Sequence, residues 1–380
     1  MRFMFKMEKI LNDYIDKYRD QMLNDIIDVV RIPSIESEPK ENAPFGEEVN
    51  RALLKALSIA EKLGFKTKNI DGYMGYAEFG QGDDYVGVLG HLDVVPTEEG
   101  WVKPPFSGYV EKGKIYSRGV LDNKGPIISA LYGLYAIKES GLKLKKPVRI
   151  IFGTDEESGF KDLEYYLKKE KPPIMGFTPD CKYPVVYGER GRAVIVAKVK
   201  LKESCREELT KEFFDFVNKY FLSSNSNGDR LGINYDDKEF GVMAMRGYNL
   251  YNGENTLNFK FTLSYPAVVT IKELMKKIKN KATENIGIEL LHNYDAVKFE
   301  KDCFMVRSLQ EAYEEITGLD GTPVTTTGGT YAKAMPNIVP FGPSFPGQKG
   351  ISHNPNEYMD ISDIETNAKI YAQGIYKLAK

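Results

Sequence analysis

Cysteine and histidine are both scarce in this chain of 380 residues, which contains three of each. The cysteines, Cys181, Cys205 and Cys303, are widely scattered and form no C-x-x-C pair. An odd and scattered set of this kind argues against a disulfide framework and against a cysteine-based metal site. The cysteine pattern therefore predicts a protein of the reducing cytoplasm.

An excess of charge of one sign and long apolar runs are also missing. The 52 Lys and Arg residues nearly balance the 54 Asp and Glu residues, and the net charge is −2. Without a basic surface, neither a nucleic acid nor an anionic membrane is expected as a partner. Charged residues interrupt the first nine positions before an apolar run reaches the roughly 7 to 15 residues of a signal peptide. No other run approaches the length of a membrane span.

The order of apolar and polar residues is typical of an α/β protein with a second, inserted domain. At roughly 100 to 200 residues per domain, the length suggests two domains. After a helix predicted over 8–30, strand-like runs such as Tyr85–Leu89 and Val148–Phe152 alternate with helical segments, which predicts a largely parallel sheet. From residue 193 the half-polar strand Ala193–Lys202 begins an α+β segment. We therefore expect a first domain formed by residues 1–192 and 299–380, and an inserted domain formed by residues 193–298.

A histidine and a carboxylate follow the predicted strand Tyr85–Leu89. In open α/β sheets, ligands bind at the carboxyl ends of the strands, where His91 and Asp93 are expected. Residues two apart on an extended segment point the same way, so Asp93 can accept the proton of the His91 nitrogen that does not bind a metal. A strand-end histidine alone is more often structural, so this motif needs support from the rest of the chain.

That support comes from a second histidine and from carboxylates at comparable strand ends and loops. Each has an ordinary alternative, such as an N-cap, a solvated turn or an exposed loop. Taken together, two imidazoles and several carboxylates suit a pair of divalent ions, typically zinc. The residues concerned are Asp122, Glu156, Glu157, Asp180 and His353.

Five segments, in order, resemble the motifs of the dinuclear zinc exopeptidases that include aminoacylase, carnosinase and peptidase V. The likeness is greatest to bacterial dipeptidases of the peptidase V type and covers about residues 8–190 and 300–378. It implies a catalytic domain with a central mixed sheet flanked by helices, an inserted α+β lid domain, and hydrolysis of dipeptides or small acyl-amino acids. The segments are Gly90–Pro96, Arg118–Gly125, Thr154–Gly159, Thr178–Asp180 and His353–Tyr358.

The resemblance also implies a role for each of these residues. Asp122 would bridge two zinc ions, for which cobalt or manganese could substitute, and the peptide bond between Asp122 and Asn123 would be cis. Asp93 would orient His91, and Glu156 would be the general base. The implied ligands are His91, Asp122 and Asp180 for one ion, and Asp122, Glu157 and His353 for the other.

A glycine-rich segment near residue 328 resembles the loop with which this family holds a substrate carboxylate. Gly328, Gly329 and Thr330 would bind that carboxylate through backbone amides. The alternative is a tight loop before a helix. A phosphate-binding loop is not expected, because no lysine follows at the required spacing.

The inserted segment departs from the family pattern. The resembled lid is longer and supplies a histidine and an arginine, whereas here Ser264 stands where the arginine is expected and His292 is the insert's only histidine. Arg246 or His292 could substitute, but structural or solvent-facing roles are the expectation for both. A deacylase or carboxypeptidase of the same family, and a metal-binding protein with little turnover, therefore remain alternatives. Whether the protein is a monomer or a homodimer is left open.

Overall fold

The computed structural model describes residues 2–348 and 350–380, and the chain divides into two compact units. Unit 1 comprises Met1–Val186, Glu300–Pro323 and Thr330–Lys380, and unit 2 comprises Tyr187–Phe299 and Val324–Gly329. The division precedes the boundary expected after residue 192, because strand Val186–Glu189 pairs with Val297–Lys298 of unit 2. Met1, where the predicted first domain starts, and Lys349 lie outside the described residues.

The helices and strands are numbered here in chain order. The helices are α1 (Arg2–Lys17), α2 (Arg19–Val30), α3 (Glu47–Lys62), α4 (Lys124–Ser140), α5 (Lys161–Lys169), α6 (Arg206–Val217), α7 (Ile271–Lys279), α8 (Phe304–Thr317) and α9 (Ile361–Ala379). The strands are β1 (Lys66–Ile70), β2 (Met74–Phe79), β3 (Val86–His91), β4 (Tyr109–Glu111), β5 (Lys114–Tyr116), β6 (Val148–Gly153), β7 (Met175–Thr178), β8 (Cys181–Lys182), β9 (Val186–Glu189), β10 (Gly191–Lys200), β11 (Asp236–Asp237), β12 (Gly241–Val242), β13 (Ala244–Gly253), β14 (Thr256–Tyr265), β15 (Ile286–Tyr294), β16 (Val297–Lys298), β17 (Val324–Thr326), β18 (Ile338–Pro340), β19 (Pro343–Ser344) and β20 (Tyr358–Asp360).

A six-stranded mixed sheet lies at the centre of unit 1, in the order β1-β2-β6-β3-β7-β18. Strand β3 is parallel to β6 and β7, and β7 is parallel to β18, whereas β2 is antiparallel to both β1 and β6. The side chains of β3 are buried along the whole strand, as expected of parallel strands that are covered on both faces. The predicted α/β class, with a central mixed sheet and flanking helices, is confirmed.

Helix α4 is the central helix of unit 1 and is buried along most of its length. It packs against α9, and Gly133 permits the close approach, because a Cβ atom there would lie 2.9 Å from the backbone nitrogen of Ala372. Helices α1 and α2 also pack against α4. The prediction of a single helix over 8–30 is wrong in one respect, because non-helical backbone at Tyr18 separates α1 from α2.

Unit 2 is built on an antiparallel sheet in the order β13-β14-β10-β15. Alternate side chains of β10, including Ile195, Ala197 and Val199, enter a core that α6 and α7 also line. Helix α7 begins with a capping box formed by Thr270 and Glu273, which satisfies backbone amides at the start of the helix. Among the helices that the structure describes, none has the length and apolar character needed to cross a bilayer.

Candidate metal centre

Three adjacent parallel strands of unit 1 end at the same edge of its sheet. His91 is the last residue of β3, Glu156 and Glu157 follow β6, and Asp180 follows β7. Because parallel strands present their carboxyl ends together, side chains from distant parts of the sequence meet at this edge. Asp122 joins them from the segment immediately before α4.

Asp122 lies between the two histidines. Its Oδ1 atom is 3.0 Å from Nε2 of His91, and its Oδ2 atom is 3.1 Å from Nε2 of His353. Oε1 of Glu157 lies 2.9 Å from the same His353 nitrogen, and Oδ2 of Asp180 lies 3.7 Å from Nε2 of His91. The peptide bond between Asp122 and Asn123 is cis, which confirms that prediction.

The donor atoms form two overlapping groups. Those of His91, Asp122 and Glu157 lie within 4.8 Å of one another, and so do those of His91, Glu156 and Asp180. The structure thus brings together the residues predicted as ligands and the predicted general base, Glu156. Both glutamates reach the cluster, so proximity alone does not assign their separate roles.

Asp93 contacts both His91 and the segment that carries the two glutamates. The Nδ1 atom of His91 is 2.9 Å from the backbone oxygen of Asp93 and 3.4 Å from its carboxylate. A carbonyl oxygen can only accept, so Nδ1 carries a proton and donates it there. The Asp93 carboxylate accepts hydrogen bonds from the backbone N–H groups of Glu156, at 3.2 Å, and Glu157, at 3.0 Å. The backbone of Asp93 is thus the nearer partner of His91, whereas the sequence suggested the carboxylate.

Crowding of the carboxylates shifts several pKa values. Burial, followed by the charge of Asp180, raises the pKa of Glu156 well above its ordinary value. Burial opposes a charge on His91, but hydrogen bonding to Asp122 nevertheless raises its pKa well above the usual range. Hydrogen bonds to Asp122 and Glu157 raise the pKa of His353 to about 10. The crowded carboxylates repel one another, and a bound cation would relieve that repulsion. Imidazole nitrogens and carboxylate oxygens are also ligands that suit divalent cations such as zinc.

Glu357 is a site residue that was not predicted from the sequence. Its side chain is fully buried and accepts a hydrogen bond from Nη1 of Arg118 at 2.7 Å. Its other oxygen accepts the backbone N–H groups of Leu121, at 3.0 Å, and Asp122, at 3.2 Å. Through these contacts the buried Arg118–Glu357 ion pair holds the backbone of Leu121 and Asp122. A signal was present, since Arg118 and Glu357 both lie within the recognised motifs.

The predicted substrate-binding segment, residues 328–330, spans the chain boundary between the two units. Gly328 and Gly329 group with unit 2, whereas Thr330 groups with unit 1. The N–H group of Gly328 donates to the hydroxyl of Thr326 at 3.2 Å, and the Thr330 hydroxyl accepts from the N–H group of Ala332 at 3.1 Å. Carboxylate binding by this segment stays a prediction.

The candidate lid residues all lie on the sheet of unit 2. Arg246, on β13, is exposed and pairs with Thr262, and His292, on β15, is exposed and pairs with Val194. Ser264 is buried on β14. No role for Arg246 or His292 follows from these positions.

Comparison with known proteins identifies the family. The model of Peptidase family M20/M25/M40 matches residues 87–377. The chain belongs to this family. The resemblance found in the sequence is therefore confirmed, and with it the class of the protein, a metallopeptidase.

Relatives extend over nearly the whole chain. A protein named "Putative dipeptidase YtjP", from Bacillus subtilis (strain 168), is 31% identical over 458 residues, with 95% of this chain and 98% of the relative covered. The Beta-Ala-Xaa dipeptidase of Lactobacillus delbrueckii subsp. lactis is 30% identical, with 95% and 97% covered. The aligned span of 458 positions exceeds the 380 residues of this chain, so the Bacillus relative has segments without a counterpart here.

A solved structure supports the fold. Human carnosine dipeptidase 1 matches with a TM-score of 0.74 and 16% identity, over 98% of each chain. At this level of identity the match concerns the fold, and it agrees with the mixed sheet and helices of this M20 family member.

Proposed function

We propose that this chain hydrolyses the amide bond of dipeptides or small acyl-amino acids, with two zinc ions bound at the candidate metal centre. One observation carries the proposal: Asp122 reaches His91 with one carboxylate oxygen and His353 with the other. A carboxylate in that position can bridge two ions. Membership of a peptidase family and relatives named dipeptidases support the reaction and the substrate class.

The proposed ligand sets divide at Asp122. His91 and Asp180 hold one ion with it, and Glu157 and His353 hold the other. Two divalent ions bound there would polarise the scissile carbonyl and lower the pKa of the attacking water. The N–H group at Nδ1 of His91 donates to the backbone of Asp93, which leaves Nε2 available as a ligand.

Glu156 is the proposed general base. It takes a proton from the attacking water and transfers it to the leaving amine, so that one carboxylate serves both halves of the reaction. Burial and the neighbouring Asp180 raise the pKa of Glu156. A raised pKa helps Glu156 to keep the proton after taking it from water and before giving it to the leaving amine. Asp93 fixes the backbone of Glu156 and thereby its distance from the cluster.

Matched substitutions of the two glutamates test this assignment. Glu156→Gln keeps the shape of the side chain but removes the proton acceptor, so we expect the metal content to be unchanged and kcat to fall by about 10²- to 10⁴-fold. Glu157→Gln should instead weaken metal binding. The measurements are metal content by mass spectrometry and amino-acid release from a panel of α- and β-alanyl dipeptides, with zinc, cobalt or manganese added.

The exposed Glu99 provides the control, since Glu99→Gln should change neither quantity. If the two glutamate variants exchange phenotypes, their proposed roles are reversed. If the wild type binds zinc but releases amino acids from none of these dipeptides, the dipeptidase proposal is overturned. Acyl-amino acid substrates then separate a deacylase from a metal-binding protein with little turnover. A cytoplasmic location is part of the proposal and rests on the scattered cysteines.

A further inference from the structure

Asp162 is a fully buried carboxylate for which the proposed mechanism has no use. It lies in the first turn of α5, and its Oδ2 atom accepts three hydrogen bonds. These come from the backbone N–H of Thr154 at 2.7 Å, the backbone N–H of Asp155 at 3.1 Å and the hydroxyl of Tyr331 at 2.5 Å. All three donors are uncharged, so a buried acid is held here by polar contacts alone. A buried carboxylate destabilises the folded state unless it accepts hydrogen bonds of good geometry.

The two backbone donors belong to the segment that carries both proposed catalytic-centre glutamates. We call residues 154–157, which directly follow β6, the glutamate turn. Asp162 binds its first two N–H groups, and Asp93 binds its last two. Four consecutive backbone amides of this turn are therefore held by two buried carboxylates. Of the two, only Asp93 also contacts a predicted metal ligand through its own backbone.

Tyr331 holds the same oxygen of Asp162 through its hydroxyl group. Its ring is fully buried, 5.2 Å from the ring of Phe160 and 6.4 Å from that of His91, between centroids. Gly153, the last residue of β6, makes this position possible, because a Cβ atom there would lie 2.1 Å from the Tyr331 hydroxyl oxygen. The absence of a side chain at Gly153 thus admits the hydroxyl group beside the first residue of the glutamate turn.

We propose that Asp162 and Tyr331 form a positioning pair for the glutamate turn. The pair fixes the backbone of Thr154 and Asp155, and through it the placement of Glu156 and Glu157 relative to His91 and Asp122. Asp162 acts through the backbone and Tyr331 acts through Asp162, so neither is a catalytic residue. The proposal rests on the function proposed above, in which those two glutamates have separate roles.

A second tyrosine in unit 1 provides a matched control. The hydroxyl of Tyr132 donates to Oδ2 of Asp25 at 2.5 Å, and the Tyr132 side chain is likewise buried. Tyr132→Phe removes the same kind of hydrogen bond, but its partner Asp25 lies on α2 and holds no part of the glutamate turn. A merely structural role for Tyr331 predicts the same consequences for both substitutions.

The test compares wild type, Tyr331→Phe, Asp162→Asn, the double variant and Tyr132→Phe as full-length chains. Three quantities are measured: kcat and KM on a dipeptide, zinc affinity by competition with a chelator, and hydrogen exchange of residues 154–157 in metal-free protein. We expect Tyr331→Phe and Asp162→Asn each to lower kcat or zinc affinity by about 10- to 100-fold, the usual effect of losing a partner that orients metal ligands. Exchange of the turn should become faster. The double variant should be little worse than either single one, because both changes break one linkage.

Tyr132→Phe should leave kcat, zinc affinity and exchange of the turn unchanged, even if it lowers the melting temperature. The proposal is overturned if Tyr331→Phe affects these quantities no more than Tyr132→Phe does. Should Asp162→Asn fail to fold, Gly153→Ala replaces it, since the added methyl group displaces the Tyr331 hydroxyl without removing either partner. Failure of the proposed function is distinguishable, because an inactive wild type would leave the zinc affinity and exchange measurements in place as tests of the pair.

Discussion

At the scale of single residues, Asp122 is the side chain on which the candidate metal centre depends most. It contacts both His91 and His353, whereas each other carboxylate paired with a histidine in the described residues contacts only one of the two. Asp122→Ala should therefore abolish binding of both ions rather than one, and activity with them. Metal content after loading and desalting measures this, with the exposed Asp83→Ala as control. A variant that retains one tightly bound ion per chain would contradict the bridging role.

The residues of the centre differ in how far the sequence could predict them. His91, Glu156 and Glu157 follow predicted strands, so local patterns are enough to suggest that they meet. Asp162 gives no such signal, because an aspartate in the first turn of a helix is ordinary there. Its partner Tyr331 is 169 positions away, and only the folded chain joins the two.

Among the elements, the strand pair β5 and β20 has the clearest link to the site. Pairing of these strands brings together Arg118, just after β5, and Glu357, just before β20. Both side chains are almost completely buried, at 1% and 0% exposure. Glu357→Gln leaves the guanidinium group without a charged partner, so the free energy of unfolding should fall by about 3 to 5 kcal/mol.

Urea unfolding followed by the fluorescence of Trp101, the only tryptophan, measures that loss. Its ring centroid lies 5.4 Å from the Arg118 guanidinium carbon. The double variant Arg118→Met, Glu357→Gln should regain part of the stability, because it removes both buried charges. Glu47→Gln, which breaks an exposed pair with Lys40, should have little effect. Equal losses of unfolding free energy in Glu357→Gln and Glu47→Gln would show that the buried ion pair stabilises the fold no more than the exposed one.

The elements themselves were predictable where periodicity was strong. Strands β3, β6, β10 and β14 and the long helices agree with the apolar patterns, whereas β13 and β15 were not anticipated. Strand β13 is exposed over most of its length, so it lacks the alternation of apolar and polar residues that identifies a strand. Only pairing with β14 makes it a strand. Likewise, no proline or glycine near Tyr18 indicates the break between α1 and α2.

At the scale of the whole molecule, every donor of the candidate metal centre belongs to unit 1, while unit 2 has a core of its own. A ligand that binds only the native state stabilises what it binds, by about 2.7 kcal/mol at a concentration 100-fold above its Kd. Zinc should therefore slow hydrogen exchange strongly in β3, β6 and β7, and much less in β10 and β14. The Asp122→Ala variant, measured with the same zinc, should show neither effect. Equal slowing in β10 and β3 of the wild type would mean instead that both units unfold in one cooperative step.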